Sequence, residues 1–184
     1  MATYFISDTH FGHDNVIKHS ARPFANVEEM NEAMILNWNA RVKTDDTVYI
    51  LGDVCFKIKT EDAIRIVSKL NGHKILITGN HDRRYLKDER YRALFDEIAD
   101  MKAITIDGEW AHLCHYPILD WDKKFRGAWH IFGHIHNRLS AEYAIIRNEE
   151  RMLNAGAEIV GYAPTNFRDL IACNVRFKTE NEHW

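Results

Sequence analysis

Residues 74–82 read KILITGNHD, an apolar run of strand type that breaks at Gly79 and delivers Asn80, His81 and Asp82 just past its end. Four further segments repeat that plan: YFISDTH (4–10), VYILGDV (48–54), HLCHY (112–116) and HIFGHIH (130–136). Each sets an apolar stretch before Asp, His or Asn. A strand delivers a side chain to a fixed place, and in open α/β sheets the loops leaving the carboxyl ends of strands build the site. Five such segments are hard to explain by packing alone, because Asp and His gathered inside a fold must be hydrogen-bonded, paired or bound to a metal.

The chain has 184 residues, room for one domain with a core of its own, and a single domain over 1–184 is expected. A hydrophobic content of 46% and a charged content of 28% are those of an ordinary globular protein. With 24 Lys and Arg against 27 Asp and Glu, the net charge of −3 gives no general attraction to nucleic acid or to an anionic membrane. No apolar run is long enough to span a bilayer. The N-terminus enters a strand without the basic leader of a signal peptide. Cys55, Cys114 and Cys173 form no CxxC and leave an odd one, which suits reduced thiols and a cytoplasmic location. The compositional oddity is 11 histidines.

Strand-like and helical stretches alternate, which argues for a layered α/β fold. Val27, Met30, Met34, Trp38 and Val42 recur near a 3.6 period and predict a helix over 26–42. A second helix is predicted over 60–71, with Thr60 as its cap and Gly72 beyond its end. A third spans 88–99, with Tyr91, Leu94, Phe95 and Ile98 on one face. Asp107-Gly108 is a hairpin turn between strands over 102–107 and 109–115. Two short strands around 147–150 are expected within 138–162. Near the C-terminus a helix or turn at 165–172 competes with a strand at 171–177.

Asp8 and His10 lie two apart at a strand end, so both side chains share a face and can converge on one ion. Asp53 follows Gly52, which permits a tight turn and pushes the carboxylate past the strand edge. A carboxylate has two oxygens and can bridge two cations; an imidazole cannot. His134 and His136 are separated by ~7 Å of strand, so each can take a different ion of a pair. Oxygen and imidazole donors without thiolate suit Mn²⁺, Fe, Zn²⁺, Co²⁺ or Ni²⁺. Singly, each residue has a plainer reading. Asp53 reads as a turn residue, Asn80 as an occupant of a left-handed turn, His115 as a strand exit, and His112 and His130 as core or surface groups.

Taken in order, Asp8-x-His10, Gly52-Asp53, Gly79-Asn80-His81-Asp82, His115 and Gly133-His134-x-His136 resemble the calcineurin-like metallophosphoesterase superfamily. The resemblance covers 8–136. It implies an α/β, four-layer αββα sandwich of two mixed sheets flanked by helices. It implies two divalent transition-metal ions, Mn²⁺ foremost. One would be held by Asp8, His10 and His136, the other by Asn80, His115 and His134, with Asp53 bridging. His81 would protonate the leaving oxygen and Asp82 would orient its imidazole. The reaction implied is phosphoester hydrolysis by a hydroxide bridging the ions.

Within that superfamily the protein-phosphatase branch carries G-D-x-x-D-R-G and G-N-H-E, where this chain reads GDVCFKI and GNHD. The size instead resembles small single-domain members, several of them phosphodiesterases. A hydrolase of nucleotide-type phosphodiesters is therefore expected, with a phosphomonoesterase or nucleotide phosphatase as the alternative. A non-catalytic scaffold of similar fold is disfavoured, because every ligand position holds a competent residue. His13, Arg83 and Arg84 are candidate substrate contacts. Lys123, Lys124 and Arg126, with Trp121 and Trp129 nearby, could form a base-stacking edge, although Trp in a small α/β protein is more often core.

Overall fold

A computed structural model of the chain describes residues 1–183. Strand β1 (Thr3–Ile6) leads through α1 (Asp14–His19) and α2 (Val27–Arg41) to β2 (Thr47–Ile50). Helix α3 (Thr60–Val67) connects to β3 (His73–Ile77), and α4 (Glu89–Arg92) to β4 (Glu97–Ala99). These strands form one parallel sheet in the order β1-β2-β3-β4. Then follow β5 (Met101–Ile106), β6 (Glu109–Cys114), β7 (Trp129–Phe132), α5 (Ala141–Ile146), β8 (Met152–Asn154), α6 (Ala157–Val160) and α7 (Phe167–Glu180). The second sheet has the order β5-β6-β7-β8, with β5 and β6 antiparallel and the rest parallel. The architecture is the expected α/β fold of two sheets flanked by helices. Only the second sheet is mixed; the first is wholly parallel.

One core joins the two sheets. Phe5, Ile50 and Leu76 from the first and Ala111, Leu113, Ile131 and Leu153 from the second belong to a single buried cluster. That burial fixes the register, since a one-residue slip would turn these side chains outward. Helix α2 covers the core with Met30, Met34 and Trp38. Its first turn is closed by Asn26, which accepts from the Glu29 amide at 2.8 Å, while Glu29 reaches back to the Ala25 amide at 2.9 Å. The Asp107-Gly108 turn has both residues at positive φ (51° and 82°), as a two-residue hairpin requires. Among the described residues, no helix is long and apolar enough to cross a membrane.

Several elements differ from the sequence reading. Helix α3 has Lys59 at its N-cap position without a capping side-chain hydrogen bond, leaving Thr60 as its first helical residue, and ends at Val67. The helix expected over 88–99 is only Glu89–Arg92; residues 97–99 instead become β4, because pairing with Ile75–Ile77 satisfies the backbone of an otherwise open sheet edge. The strands expected around 147–150 are absent there. Helix α5 precedes that stretch and β8 follows it. The C-terminal competition is won by one long helix, α7, with Phe167, Leu170 and Asn174 buried at helical spacing. Asn174 explains the outcome. Its amide accepts from the Asn154 N–H at 2.7 Å and donates to the Asn154 carbonyl at 3.0 Å, covering the exposed edge of β8.

His130 is a structural residue of this core. Its ring is fully buried, with Nδ1 3.1 Å from the His112 carbonyl and Nε2 3.1 Å from the Ile118 amide. Burial pushes its pKa down to about 4, against the carbonyls of His112 and Tyr116. An unfolded imidazole titrates near ~6.5. The stabilisation from keeping His130 neutral is therefore complete above that pH and fades as pH falls towards 4, by up to about 3 kcal/mol. Urea unfolding in chelator between pH 7 and 4.5 is expected to show a shallower loss of stability for His130→Gln than for the wild type. Parallel profiles would remove His130 as the responsible group.

Candidate metal centre

Five of the eight strands release candidate site residues at the C-terminal end: Asp8 and His10 after β1, Asp53 after β2, Asn80 and His81 after β3, His115 after β6, His134 and His136 after β7. Extended backbone does not aim most of them. Asp8 (φ 54°), His10 (50°), Asp53 (56°), His134 (70°) and His136 (53°) are all in the left-handed region. This corrects the expectation that His134 and His136 alternate along a strand. A turn aims both. Left-handed conformations are uncommon outside glycine and persist where surrounding structure forces them, most often at functional sites.

The forcing groups are buried. Asp82 accepts from the amides of Asp53 (2.8 Å), Val54 (3.0 Å) and Gly79 (2.8 Å), so one carboxylate clamps the Asp53 turn to the loop after β3. Burial pushes its pKa up, against those amides. No hydrogen bond between Asp82 and the His81 ring occurs among the described residues, which corrects the role expected for Asp82. It holds backbone, not the imidazole. Ser7 Oγ donates to the Leu51 carbonyl at 2.6 Å and Thr9 Oγ1 to the Val54 carbonyl at 2.9 Å, fastening the β1 loop to the β2 loop. Two motif glycines are needed for close approach. A Cβ on Gly79 would strike Asp53 Oδ1, and one on Gly133 would strike Ser7 Oγ and Asp8 Oδ2.

Two groups of donor atoms result, each gathered within 4.8 Å: Asp8, His10 and His136, and Asp8, Asp53 and His115. Asp53 Oδ2 lies 3.6 Å from both His10 Nε2 and His115 Nε2. Asp8 Oδ1 lies 3.7 Å from His10 Nε2 and 3.6 Å from His136 Nε2, while its Oδ2 accepts from the His134 amide at 2.8 Å. Asp8 thus faces both groups, more than the resemblance implied. The His115 Nδ1–H donates to the Leu51 carbonyl at 2.7 Å, which turns an Nε2 lone pair towards Asn80 Oδ1 at 3.2 Å. The His134 ring stands 5.1 Å from that of His115.

These atoms fit a cation. Asp8 Oδ1 and both ring nitrogens of His10 are buried without a hydrogen-bond partner, and two acceptors face each other between His115 and Asn80. Such arrangements are costly unless a positive centre is shared. Burial opposes ionisation of Asp8, yet the imidazoles of His10, His136 and His115 hold its carboxyl well below the usual carboxylate range. Oxygen and imidazole donors without thiolate suit a divalent transition metal.

His81 lies at the rim, with Nε2 3.8 Å from Asp53 Oδ2 and its amide donating to Asp53 Oδ1 at 2.9 Å. What steadies its ring is Phe56, set edge-on at 4.5 Å, a residue the sequence reading passed over. Burial lowers the His81 pKa, against the pull of Asp53. His13 lines the same cleft, stacked on Phe56 at 3.8 Å, and burial brings its pKa down to about 4. Arg83 and Arg84 do not line this cleft. Both are exposed: Arg84 rests on the Tyr85 ring, and Arg83 faces a separate hollow beside Thr78 and Asp100. The cation at the cleft is Arg138, anchored on the carbonyls of Ile135 (3.2 Å) and His134 (3.4 Å). Trp121 and Trp129 are buried, and Lys124 and Arg151 lie over their rings, so the stacking edge is core.

Two more residues escaped the sequence reading. Glu158 Oε1 lies 3.0 Å from His136 Nδ1, and Arg22 is paired with Glu158 at 2.8 Å. Burial would raise the Glu158 pKa, but His136 and Arg22 bring it below its ordinary value; burial would lower that of His136, but Glu158 and Asp8 raise it. Neither residue sits in a motif, so only the folded arrangement reveals them.

A family model described as the calcineurin-like phosphoesterase superfamily domain matches residues 1–165. The chain is 39% identical over 169 residues to the uncharacterized protein MJ1445 of Methanocaldococcus jannaschii, a match covering 91% of this chain and 88% of that one. A shorter match, 39% identical over 83 residues, links it to the gene 66 protein of Mycobacterium phage L5 and covers 44% of this chain and 39% of that protein. Among solved structures, the protein of unknown function AQ665 from Aquifex aeolicus is similar, with a TM-score of 0.71, 32% identity, and coverage of 91% of this chain and 96% of that one.

The clamp made by Asp82 is testable apart from catalysis. Asp82→Ala leaves three buried amides without an acceptor and is expected to cost about 3–5 kcal/mol in urea unfolding of the metal-free chain. His81→Ala, at the rim, is expected to cost less than about 1 kcal/mol in the same assay. Equal losses would mean that Asp82 does not hold these loops.

Proposed function

The chain belongs to the calcineurin-like phosphoesterase superfamily, and within it we propose a hydrolase of nucleotide-type phosphodiesters that works through two divalent transition-metal ions. The observation that carries this reading is the position of Asp53 Oδ2, 3.6 Å from an imidazole of each ligand set and 3.8 Å from the His81 ring. Asp8, His10 and His136 would hold one ion. Asn80, His115 and His134 would hold the other, and Asp53 would lie between them. When bound, two such ions offset the charge of a phosphate and make hydroxide available at neutral pH, with Mn²⁺ a suitable choice.

The chain's own residues supply the rest. His81 stands at the rim within reach of a leaving oxygen and donates a proton to it. Phe56 and the bond from the His81 amide to Asp53 keep that ring in place. Asp82 serves this function indirectly, by fixing the backbone from which Asp53 and His81 project. Arg138, rather than Arg83 or Arg84, is the side chain that meets the anionic part of the substrate, and His13 forms the facing wall. No side-chain nucleophile is needed, and no phosphoenzyme is expected.

Preference for a diester follows from charge. A monoester carries close to two negative charges at neutral pH, so a site tuned for it gains from cationic groups beyond the metals. Arg138 is the one Lys or Arg side chain among the described residues lining this cleft, where burial and nearby charges lower the His13 pKa. A proton donor also matters most when the leaving group is a poor alkoxide, as in a natural diester.

Two measurements test this reading. Turnover of a dinucleotide by His81→Ala is expected to fall by ~10²–10⁴ while both ions are retained, with a smaller loss on nitrophenyl esters. A loss of metal in this variant would make His81 a ligand. With Mn²⁺, kcat/KM for bis(p-nitrophenyl) phosphate is expected to exceed that for p-nitrophenyl phosphate. A preference for the monoester by about tenfold, or roughly 1.4 kcal/mol, would favour the phosphomonoesterase alternative.

A further inference from the structure

We propose that the buried Arg22–Glu158 pair is the positioning device of one ion site, that of Asp8, His10 and His136, and that it makes the two sites unequal in affinity. The inference rests on the two-ion reading above. Glu158 Oε1 lies 3.0 Å from His136 Nδ1. An ionised carboxylate only accepts, so Nδ1 carries the proton and Nε2 offers its lone pair. That Nε2 lies 3.6 Å from Asp8 Oδ1.

Arg22 organises the same site from behind. Its Nε donates to Glu158 Oε1 at 2.9 Å, and Nη2 is ion-paired with the same oxygen at 2.8 Å. Nη2 also donates to the Asp8 carbonyl at 2.7 Å, and Nη1 to the Thr9 carbonyl at 2.8 Å and towards Met30 Sδ at 3.4 Å. A guanidinium presents donors on three nitrogens, and all three are engaged here. One cation therefore grips the backbone between the left-handed residues Asp8 and His10 and, through Glu158, the ring of His136. All three donors of one ligand group depend on it. The side chains of Arg22 and Glu158 are 0% and 2% exposed, and neither lines the cleft, so they act through the ligands and not on substrate. A lysine cannot repeat this fork.

Among the described residues, the other group has no such device. His115 Nδ1 is held by the neutral carbonyl of Leu51 at 2.7 Å. A charged acceptor makes a stronger bond than a neutral one and raises the basicity of the ligand nitrogen. The Asp8–His10–His136 site is thus the tighter of the two.

Metal-free protein titrated with Co²⁺, read by calorimetry and visible d–d absorption, tests the proposal without reference to turnover. The wild type is expected to take up two ions of different affinity. Glu158→Gln and Arg22→Lys are each expected to weaken the tighter ion by ~10–100-fold and to alter its absorption bands, leaving the other within about twofold. Equal weakening of both ions, or of neither, would overturn the proposal while leaving the two-ion reading intact; a wild type that takes up a single ion would overturn both. Should the variants fail to fold, ¹⁵N NMR of the Zn²⁺-loaded wild type decides. The proposal requires His136 protonated at Nδ1, and a proton at Nε2 would refute it.

Discussion

Left-handed backbone at five of the candidate ligands is the constraint on which the rest of this molecule turns. Asp8, His10, Asp53, His134 and His136 all adopt φ values between 50° and 70°. For a residue with a Cβ each such conformation is disfavoured by roughly 1–2 kcal/mol. Such geometry survives only where neighbouring groups leave no alternative. Here the neighbours are buried charges aimed at backbone: Asp82 takes three amides around the Asp53 turn, and Arg22 takes the carbonyls of Asp8 and Thr9. A buried carboxylate and a buried guanidinium are unusual occupants of a core, and both are tolerated because each is multiply hydrogen-bonded.

The site also belongs to neither sheet. Asp8, His10, Asp53, Asn80 and His81 leave the first sheet, whereas His115, His134 and His136 leave the second. Three contacts stitch the two sets together at the ligands themselves. The His134 amide donates to Asp8, the His115 ring donates to the Leu51 carbonyl, and Gly133 admits Ser7 and Asp8 against its bare Cα. The donor set is complete only when the sheets have docked across their common core. Binding of a cation there would therefore be coupled to that docking, and part of its free energy would appear as folding stability.

How much of this was legible depended on the distance over which each decision is made. The strand-then-ligand segments were plain, because an apolar run ending in Gly-Asp or Gly-Asn-His-Asp needs only local chemistry. Helix α2 and the Asp107-Gly108 hairpin were legible for the same reason. Residues 97–99 were not: Ile98 fits a helical face as well as a strand, and the open edge of β3 settles the matter. Residues 171–177 carry β-branched and aromatic side chains, yet Asn174 is drawn into a helix by the backbone of Asn154, twenty residues away in sequence. Within the site, donor identity could be read from motifs, but the groups that aim the donors could not. Arg22 and Glu158 lie 136 residues apart, and Asp82 carries a motif position whose partners are amides in another loop. Side chains that bond to backbone leave no pattern in a single sequence.

The charge distribution gives the arrangement its last consequence. At the floor are Asp8 and Asp53, with Glu158 behind, and Arg22 is committed to Glu158 and to backbone carbonyls. The neighbouring histidine His13 has its pKa brought down to about 4 by burial, His10 and Arg22. Arg138 at the cleft is tied to the carbonyls of Ile135 and His134. Such a floor repels a phosphate, since anions brought together in a partly desolvated site interact far more strongly than in water. Cations held by these candidate ligands would reverse the sign of the floor and so favour binding of the anion before any bond is broken. The walls of the same cleft carry His13 and Phe56, stacked on each other, and the guanidinium of Arg138.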